Sequence, residues 1–154
     1  PALNAMLLRA MVDLGLASSI AKEHYKRPRP FTVNREPICT PEQEGGLRQN
    51  GSYPSGHASI GYGWGLLLAE LVPARATQIV ARGAAFADSR RVCNVHWQSD
   101  VANGSALGAA VVARIHASPD FQKDLKKVRS ELKKKVAKLP APDCTRESAA
   151  LGTG

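Results

Sequence analysis

Apolar residues recur at steps of three and four along much of the chain, which is the spacing of one face of an α-helix. The first such series begins at Leu3 and Met6 and continues to Tyr25. The pattern predicts five helices, over about residues 3–25, 56–72, 74–87, 96–116 and 120–138. No segment shows the clear period-two alternation of a half-buried strand. We therefore predict an all-α helical bundle with its irregular loops gathered near one end.

Two stretches of the chain lack this periodicity. Residues 27–53 are rich in turn-forming residues, and we predict a long irregular loop there, which in a compact domain is usually functional. The chain has 154 residues, of which 44% are hydrophobic, so it can bury one core but is too short for two full domains. We expect one domain over residues 1–138, followed by an irregular tail over residues 139–154.

The formal net charge of +8 permits an anionic partner, which could be a phosphorylated small molecule, a nucleic acid or a membrane surface. Much of the excess consists of lysines in the last predicted helix, where apolar residues alternate with them at helical spacing, as in a solvated amphipathic face. The chain has few aromatic residues on which bases could stack.

The longest apolar stretches, Ile60–Pro73 and Val101–Ala113, are shorter than the roughly 20 residues of a membrane span. We expect a soluble protein that binds neither nucleic acid nor membrane.

The three cysteines, Cys39, Cys93 and Cys144, lack the spacing of a zinc site, and their odd number leaves at least one unpaired within the chain. A disulfide between two of them is consistent with an oxidising compartment. Small buried apolar residues are an equally good interpretation at this point.

The first candidate constellation is Lys22 followed seven positions later by Arg29-Pro30. One cation lies near a helix end and the other in an extended segment fixed by prolines, so both can converge on a single anion. Cations near a helix C-terminus also interact favourably with the helix dipole, which is the simpler alternative.

The second constellation is Pro54-Ser55-Gly56-His57 at the start of a predicted helix. The free backbone N–H groups of a helix N-terminus favour phosphate, and Gly56 lets an anion approach the chain closely. His57 would then lie beside that anion. The alternative is an ordinary serine cap followed by a surface histidine.

The third constellation is Ser89-Arg90 with His96 and Asp100 further along. On a helix, residues four apart share a face, so Asp100 can accept a hydrogen bond from one ring nitrogen of His96. The other nitrogen remains free to act as a nucleophile. A solvent-facing His/Asp pair is the alternative.

Together, these blocks resemble in order and spacing the signature of the superfamily that includes type-2 phosphatidic acid phosphatases, vanadium haloperoxidases and bacterial class A non-specific acid phosphatases. The flanking stretches 21–25, 29–31, 51–57 and 96–101 specifically resemble the class A acid phosphatases. The resemblance implies a helical bundle of the acid phosphatase / vanadium haloperoxidase type up to about Lys138. Class A enzymes usually carry a further helical segment upstream, so this chain resembles their C-terminal part.

The resemblance also implies roles for individual residues. His96 corresponds to the nucleophile that forms a phosphohistidine, His57 to the general acid, and Asp100 to the carboxylate that orients His96. The residues that correspond to phosphate-binding groups are Lys22, Arg29, Ser55, Gly56 and Arg90. The implied reaction needs no metal or cofactor, and phosphate or vanadate is the expected ligand of the site.

The implied substrates are small-molecule phosphate monoesters, with transfer of the phosphoryl group to alcohols as a further activity. The resemblance favours pairing of Cys39 with Cys93 and a periplasmic or secreted protein, although no signal peptide is visible, and it leaves open a homo-oligomer. The alternatives are a vanadium-dependent haloperoxidase, a lipid phosphatase, and a basic nucleic-acid-binding module that uses the lysine-rich helix.

Overall fold

The computed structural model describes residues 2–136, 143 and 145–152. These residues form nine α-helices and two short 3-10 turns and contain no strand, which confirms the all-α prediction. The helices are α1 Ala2–Leu16, α2 Ser19–Tyr25, α3 Pro30–Asn34, α4 Glu44–Arg48, α5 Gly56–Leu71, α6 Ala76–Val92, α7 Gln98–His116, α8 Pro119–Val136 and α9 Thr145–Leu151. The 3-10 turns are Pro41–Gln43 and Pro73–Arg75.

The core forms around α5, which contacts α1, α6 and α7, while α1 also packs on α8. Leu14 of α1 and Leu67 of α5 are both 0% exposed and belong to one buried cluster. Met6 of α1 packs in a second cluster with Leu125 and Val128 of α8. The lysines of α8 whose side chains are described lie exposed on its other face, as the amphipathic pattern predicts.

Two glycines on α7 allow it to approach α5 closely at the end where the candidate residues lie. A Cβ atom on Gly104 would lie 2.4 Å from the carbonyl oxygen of Ser55, and one on Gly108 would lie 2.5 Å from that of Ser59. Since no side chain fits there, the start of α7 lies directly against the start of α5. The second and third constellations, which lie near the starts of these two helices, are therefore close together.

The first predicted helix is divided into α1 and α2. Both the backbone N–H and the hydroxyl of Ser18 bond to the carbonyl of Gly15, over 3.3 and 2.9 Å, and this turn replaces the continuous helical ladder. The helix predicted over residues 74–87 begins at Ala76, after the 3-10 turn, and continues to Val92, so that Arg90 lies in its last turn.

The prediction of an irregular loop over residues 27–53 is wrong in part, because α3, a 3-10 turn and α4 lie within it. Proline begins α3 and the 3-10 turn, a position where its missing N–H costs nothing. Phe31 and Ile38 pack with Val95 in a separate small cluster. A disulfide joins Cys39 to Cys93, the pairing that the resemblance implied, and so attaches this segment to the end of α6.

The predicted irregular tail is wrong for Thr145–Leu151, which form α9. Asp143 Oδ1 accepts hydrogen bonds from the backbone N–H and the hydroxyl of Thr145, over 3.0 and 2.7 Å, and Glu147 pairs with Arg82 of α6 over 3.0 Å. These local and tertiary contacts favour the helix. Residues 137–142, 144, 153 and 154, which include Cys144 and Lys138 at the domain boundary, lie outside the described residues.

Among the described residues, one segment, Ala2–Asn34, is long and apolar enough by length and composition to cross a membrane. Core helices of soluble proteins and signal sequences satisfy the same criterion. This segment contains Arg9 and Asp13 and was not among the apolar stretches named from the sequence. One face of α1 packs in the core, while Leu8 and Leu16 are exposed.

Candidate active site

Residues from three distant parts of the sequence meet at one end of the bundle. They come from α2 with the extended segment after it, from the start of α5, and from the connection between α6 and α7. Arg29 Nη1 lies 3.2 Å from His96 Nε2. The backbone N–H of Ser55 donates to the carbonyl of Asp100 over 2.9 Å. The structure thus brings together all three predicted constellations.

Arg29 is only 3% exposed and is held by several acceptors. Its Nε donates to the Leu47 carbonyl over 2.8 Å, and its Nη1 donates to the Val95 carbonyl over 2.9 Å. Its Nη2 donates to Asn50 Oδ1 over 2.5 Å. Burial lowers the pKa of Arg29 to about 10, with Asp100 opposing the change. The guanidinium therefore stays charged at acid and neutral pH in a fixed position.

His96 lies two residues before α7 rather than in its first turn as predicted. The helix begins at Gln98 with Trp97 as its N-cap, and Asp100 at the third helical position accepts the Trp97 backbone N–H over 2.9 Å. His96 Nδ1 lies 3.5 Å from Asp100 Oδ2, a contact longer than a formed hydrogen bond. The capped turn, not a shared helical face, therefore places the two side chains together.

The ring of His96 is neutral. Burial lowers its pKa to about 4, while the Asp100 carboxylate opposes this shift and the positive charges of Arg29 and Lys22 add to it. A guanidinium can only donate hydrogen bonds, so its contact with Nε2 requires that nitrogen to be the acceptor. The ring proton then lies on Nδ1, the nitrogen that faces Asp100.

Asp100 is completely buried and its side chain contacts two donors. Oδ1 accepts from Arg27 Nη1 over 2.7 Å, and Oδ2 accepts from the backbone N–H of Trp97. Burial alone would raise the pKa of Asp100, but the contacts with His96 and Trp97, the Arg27 charge and the Ser52 hydroxyl together lower it below its ordinary value. Asp100 is therefore a carboxylate.

At the start of α5, Ser55 is the N-cap, and its hydroxyl oxygen accepts the Ala58 N–H over 3.2 Å. The ordinary cap considered in the sequence analysis is therefore present, yet the hydroxyl hydrogen remains available to donate. Gly56 is the first helical residue, and a Cβ there would lie 3.3 Å from Ser18 Oγ. Both serine and glycine thus lie at the N-terminus of α5.

His57 follows in the first turn of α5 with an exposed side chain. Partial burial among neighbouring atoms lowers its pKa below the ordinary value, and three nearby positive charges lower it further. These charges belong to Arg90, Arg29 and Lys22. The histidine thus lies within the electrostatic influence of three cations.

Lys22 and Arg90 complete this cluster. Lys22 Nζ donates to the Gly51 carbonyl over 2.8 Å, and burial followed by repulsion from Arg29 lowers its pKa to about 8. Arg90 Nε is buried and forms no hydrogen bond within the described part of the chain. Its backbone carbonyl accepts from the N–H of His96 over 3.2 Å, which ties the end of α6 to the nucleophile candidate.

Sequence reasoning missed several residues that hold this site, above all Arg27 and Asn50. Arg27 is part of Arg27-Pro28-Arg29-Pro30, and the repeated Arg-Pro pair was the signal that could have drawn attention to it. Asn50 lies just before the second constellation and shows no comparable signal. Over the described residues, no group of three or more histidines, cysteines or acidic side chains could hold a metal ion.

Comparison with known proteins shows the family of the chain. The model of the PAP2 superfamily matches residues 2–124. The chain belongs to the PAP2 superfamily. It is 45% identical over 139 residues to a non-specific acid phosphatase of Salmonella typhimurium, covering 89% of this chain and 56% of that protein. The resemblance to bacterial acid phosphatases is thereby confirmed.

Two further relatives carry similar names. An acid phosphatase of Zymomonas mobilis is 43% identical over 123 residues, covering 80% of this chain and 47% of the relative. A non-specific acid phosphatase of Providencia stuartii is 39% identical over 135 residues, covering 87% of this chain and 54% of the relative. The chain therefore spans about half the length of the curated relatives it matches.

Proposed function

We propose that this protein is an acid phosphatase that hydrolyses small-molecule phosphate monoesters through a phosphohistidine intermediate on His96. The observation that carries the proposal is the contact between Arg29 Nη1 and His96 Nε2, which pairs a neutral ring nitrogen with a fixed cation. A phosphate oxygen that accepted this N–H in place of Nε2 would bring its phosphorus next to the freed nitrogen lone pair. The acid phosphatase names of the relatives support the same reaction.

Phosphate binding is assigned to the cation cluster and the start of α5. Lys22, Arg29 and Arg90 would neutralise the phosphate oxygens, and the donors at Ser55 and Gly56 would bond to them. Such fixed donors stabilise the charge that spreads over the phosphoryl oxygens in the transition state. Inorganic phosphate and vanadate fit the same site, the latter because its trigonal bipyramidal form resembles that transition state.

In the first step, His96 Nε2 attacks phosphorus, and the bond to the leaving oxygen breaks. His57 donates its proton to the departing alkoxide. The phosphorylated ring of His96 keeps its Nδ1 proton and is cationic, so the Asp100 carboxylate stabilises it. In the second step, water attacks phosphorus while His57 accepts a proton, and phosphate and free His96 are restored. An alcohol in place of water would give phosphotransfer.

We assign the reaction to acid pH because His57 must be protonated before the first step. In the free protein the pKa of His57 is lowered, which opposes this protonation. The charge of a bound phosphate dianion offsets the neighbouring cations and favours protonation. The three cations would perform the electrostatic work that metal ions perform in other phosphatases, so we expect chelators to leave activity intact. The Cys39–Cys93 disulfide supports a periplasmic or secreted location.

The test is hydrolysis of p-nitrophenyl phosphate by the wild-type chain across pH, with EDTA and with vanadate. Acid-labile phosphoenzyme is trapped after rapid mixing in wild type, in His96→Ala and in His24→Ala, a control on the exposed surface of α2. We expect chelator-resistant activity at acid pH, inhibition by vanadate, and phosphoenzyme in wild type and the control only. Activity that EDTA abolishes and a divalent cation restores would overturn the metal-independent mechanism.

Wild-type protein without phosphatase activity would overturn the function itself, and phosphoenzyme in His96→Ala would overturn the assigned nucleophile. Halide oxidation by peroxide with added vanadate would favour a haloperoxidase. Hydrolysis confined to lipid phosphates would favour a lipid phosphatase. Strongly salt-dependent nucleic-acid binding without hydrolysis would favour the binding module.

A further inference from the structure

We propose that Arg27 is a positioning residue for this reaction, which holds Asp100 ionised and turned toward His96 and so extends activity to more acid pH. The inference rests on the proposed function, because it concerns the same histidine. It assigns to Arg27 a task distinct from the phosphate binding that is proposed for Arg29, its neighbour two residues along the chain.

The contact between Arg27 and Asp100 is short and partly buried. Arg27 Nη1 donates to Asp100 Oδ1 over 2.7 Å and to Ser99 Oγ over 2.7 Å. The Asp100 side chain is 0% exposed, whereas that of Arg27 is 36% exposed. A charged hydrogen bond to a buried carboxylate is much stronger than an ion pair on the surface. Arg27 therefore extends from the protein surface to the buried carboxylate of Asp100.

Trp97 fixes the position of the guanidinium. The Arg27 guanidinium lies over the Trp97 ring, 5.6 Å from its centre, and Trp97 Nε1 donates to the Pro28 carbonyl over 2.8 Å. The Trp97 backbone N–H in turn donates to Asp100 Oδ2. Each carboxylate oxygen thus has its own donor, and rotation of the carboxylate would break both bonds.

The two arginines hold the histidine–carboxylate pair from opposite ends. Arg29 contacts His96 Nε2, the nitrogen that would attack phosphorus, whereas Arg27 contacts the carboxylate that faces Nδ1. Arg27 therefore acts on the reacting nitrogen only through Asp100. The extended Arg27–Arg29 segment, with proline after each arginine, carries both cations to the pair.

The ionisation of Asp100 depends on this arrangement because the carboxylate is buried. The titratable groups that act on it are the neutral His96 ring and three cations, Lys22, Arg29 and Arg27. Of these, Arg27 donates directly to an oxygen of Asp100 within 2.7 Å. Without that charge, burial favours the protonated acid, and Asp100 would take up a proton at higher pH. A neutral acid no longer stabilises the cationic phosphohistidine.

The test compares kcat and KM across pH for wild type, Arg27→Gln and Arg27→Lys. The matched control is Arg35→Gln, which removes the same charge from the exposed end of α3. We expect Arg27→Gln to lower kcat roughly 10-fold with KM within about 2-fold of wild type, and to shift the acid limb of kcat to higher pH. Arg27→Lys keeps the charge and restores part of kcat. The Arg35 control behaves as wild type.

A double-mutant cycle asks whether Arg27 acts through Asp100. In an Asp100→Asn background, Arg27→Gln is expected to cost less than about 2-fold in kcat, because its partner charge is already gone. The same loss in both backgrounds, or a raised KM with an unmoved acid limb, would overturn the inference. If circular dichroism shows that Arg27→Gln does not fold, Arg27→Lys in the wild-type and Asp100→Asn backgrounds supplies the comparison. A wild-type chain without phosphatase activity would overturn both the proposed function and this inference. An active wild type in which Arg27 and Asp100 show no coupling would overturn this inference alone.

Discussion

Arg29 Nη1 lies 3.2 Å from Nε2 of His96, and this contact determines which ring nitrogen carries the proton. Because a guanidinium cannot accept a hydrogen bond, Nε2 is unprotonated and Nδ1 is protonated. With its pKa lowered to about 4, mainly by burial, His96 is expected to remain in this neutral form until the pH approaches that value. Nitrogen-15 NMR of the ring measures the protonation of each nitrogen directly.

The internal control for this measurement is His116. Its Nδ1 lies 2.7 Å from the Val112 carbonyl and its Nε2 lies 2.7 Å from Glu70 Oε2, so both nitrogens face acceptors. At moderately acid pH, His116 is expected to show two protonated nitrogens and His96 only one. A doubly protonated His96 under those conditions contradicts the assignment.

Ligand binding is expected to raise the pKa of His57. In the free protein, burial and then the charges of Arg90, Arg29 and Lys22 lower it. A phosphate or vanadate anion among these cations offsets their repulsion of a protonated ring, so the pKa rises on binding. Titration of the His57 ring signals by NMR, with and without inorganic phosphate, measures the change.

The same spectra contain two checks on this prediction. His116 is paired with Glu70 rather than with the cation cluster, and its titration is expected not to move with phosphate. Arg90→Gln removes one of the charges that lower the pKa of His57, so the pKa in the free protein rises. An unchanged or lowered His57 pKa at saturating phosphate shows that the anion binds elsewhere.

The sequence predicted the large helices because each buries a regular apolar stripe. Leu14 and Leu67 are spaced at helical intervals from other buried residues and are both fully buried. It also predicted that His96 and Asp100 lie together, since a spacing of four brings residues close both on a helix and across a capped helix start. These features depend on residues that are close in the sequence, so the spacing of residues is enough to predict them.

The local pattern did not predict several features that depend on distant partners. Helices α3 and α4 have five residues each, barely more than one turn, and such helices are stable only through tertiary contacts. The bond from Arg27 to Asp100 joins residues 73 positions apart. The repeated Arg-Pro pair marks Arg27, but nothing in the local pattern indicates that its partner is Asp100, so this contact was visible only in the fold.

The glycine contact between α5 and α7 predicts a sensitive position. In Gly104→Ala, the new Cβ would lie 2.4 Å from the Ser55 carbonyl oxygen, so the helices must separate at the candidate site. We expect a loss of about 1–3 kcal/mol in the free energy of unfolding, together with reduced kcat. Urea unfolding and the phosphatase assay measure the two effects.

Gly45→Ala is the control for this substitution. Gly45 lies in α4, and a Cβ at this residue would have no neighbouring atom within 4 Å, so alanine is expected to be neutral or to stabilise by up to about 1 kcal/mol. A Gly104→Ala protein with unchanged stability means that α7 shifts without cost, and the close approach is then unimportant for the site.

His116 is expected to stabilise the fold at acid pH. It connects the end of α7 to Glu70 of α5, and Glu70 also accepts from Arg129 of α8 over 2.7 Å. Burial lowers the pKa of His116, but its bonds to the Val112 carbonyl and Glu70 outweigh this effect and raise it above the ordinary value. A group with a raised pKa contributes stability below its unfolded pKa and loses that contribution as the pH rises through the folded pKa.

His116→Gln is therefore expected to lower the free energy of unfolding by about 1 kcal/mol near pH 5 and by much less near pH 9. Urea unfolding at the two pH values measures the difference. His24→Gln, on the exposed surface of α2, is the control. An equal loss for His116→Gln at both pH values indicates lost packing rather than a charged pair.

The proposed roles of His57 and His96 differ in their dependence on the leaving group. A nucleophile is needed for every substrate, so His96→Ala is expected to be inactive on alkyl and aryl phosphates alike. A general acid contributes roughly 100- to 10,000-fold, and more as the leaving group becomes more basic. His57→Ala is therefore expected to lose far more activity on an alkyl phosphate than on p-nitrophenyl phosphate, whose phenolate leaves without a proton.

The two variants also differ in the intermediate they accumulate. Since His57 activates water in the second step, His57→Ala is expected to retain phosphohistidine longer than wild type after rapid mixing, whereas His96→Ala forms none. The measurement is kcat on both substrates with trapping of acid-labile phosphoenzyme, and His24→Ala is the control. An equal loss on both substrates in His57→Ala means that another group protonates the leaving oxygen, and the position of His57 among the cations then serves phosphate binding alone.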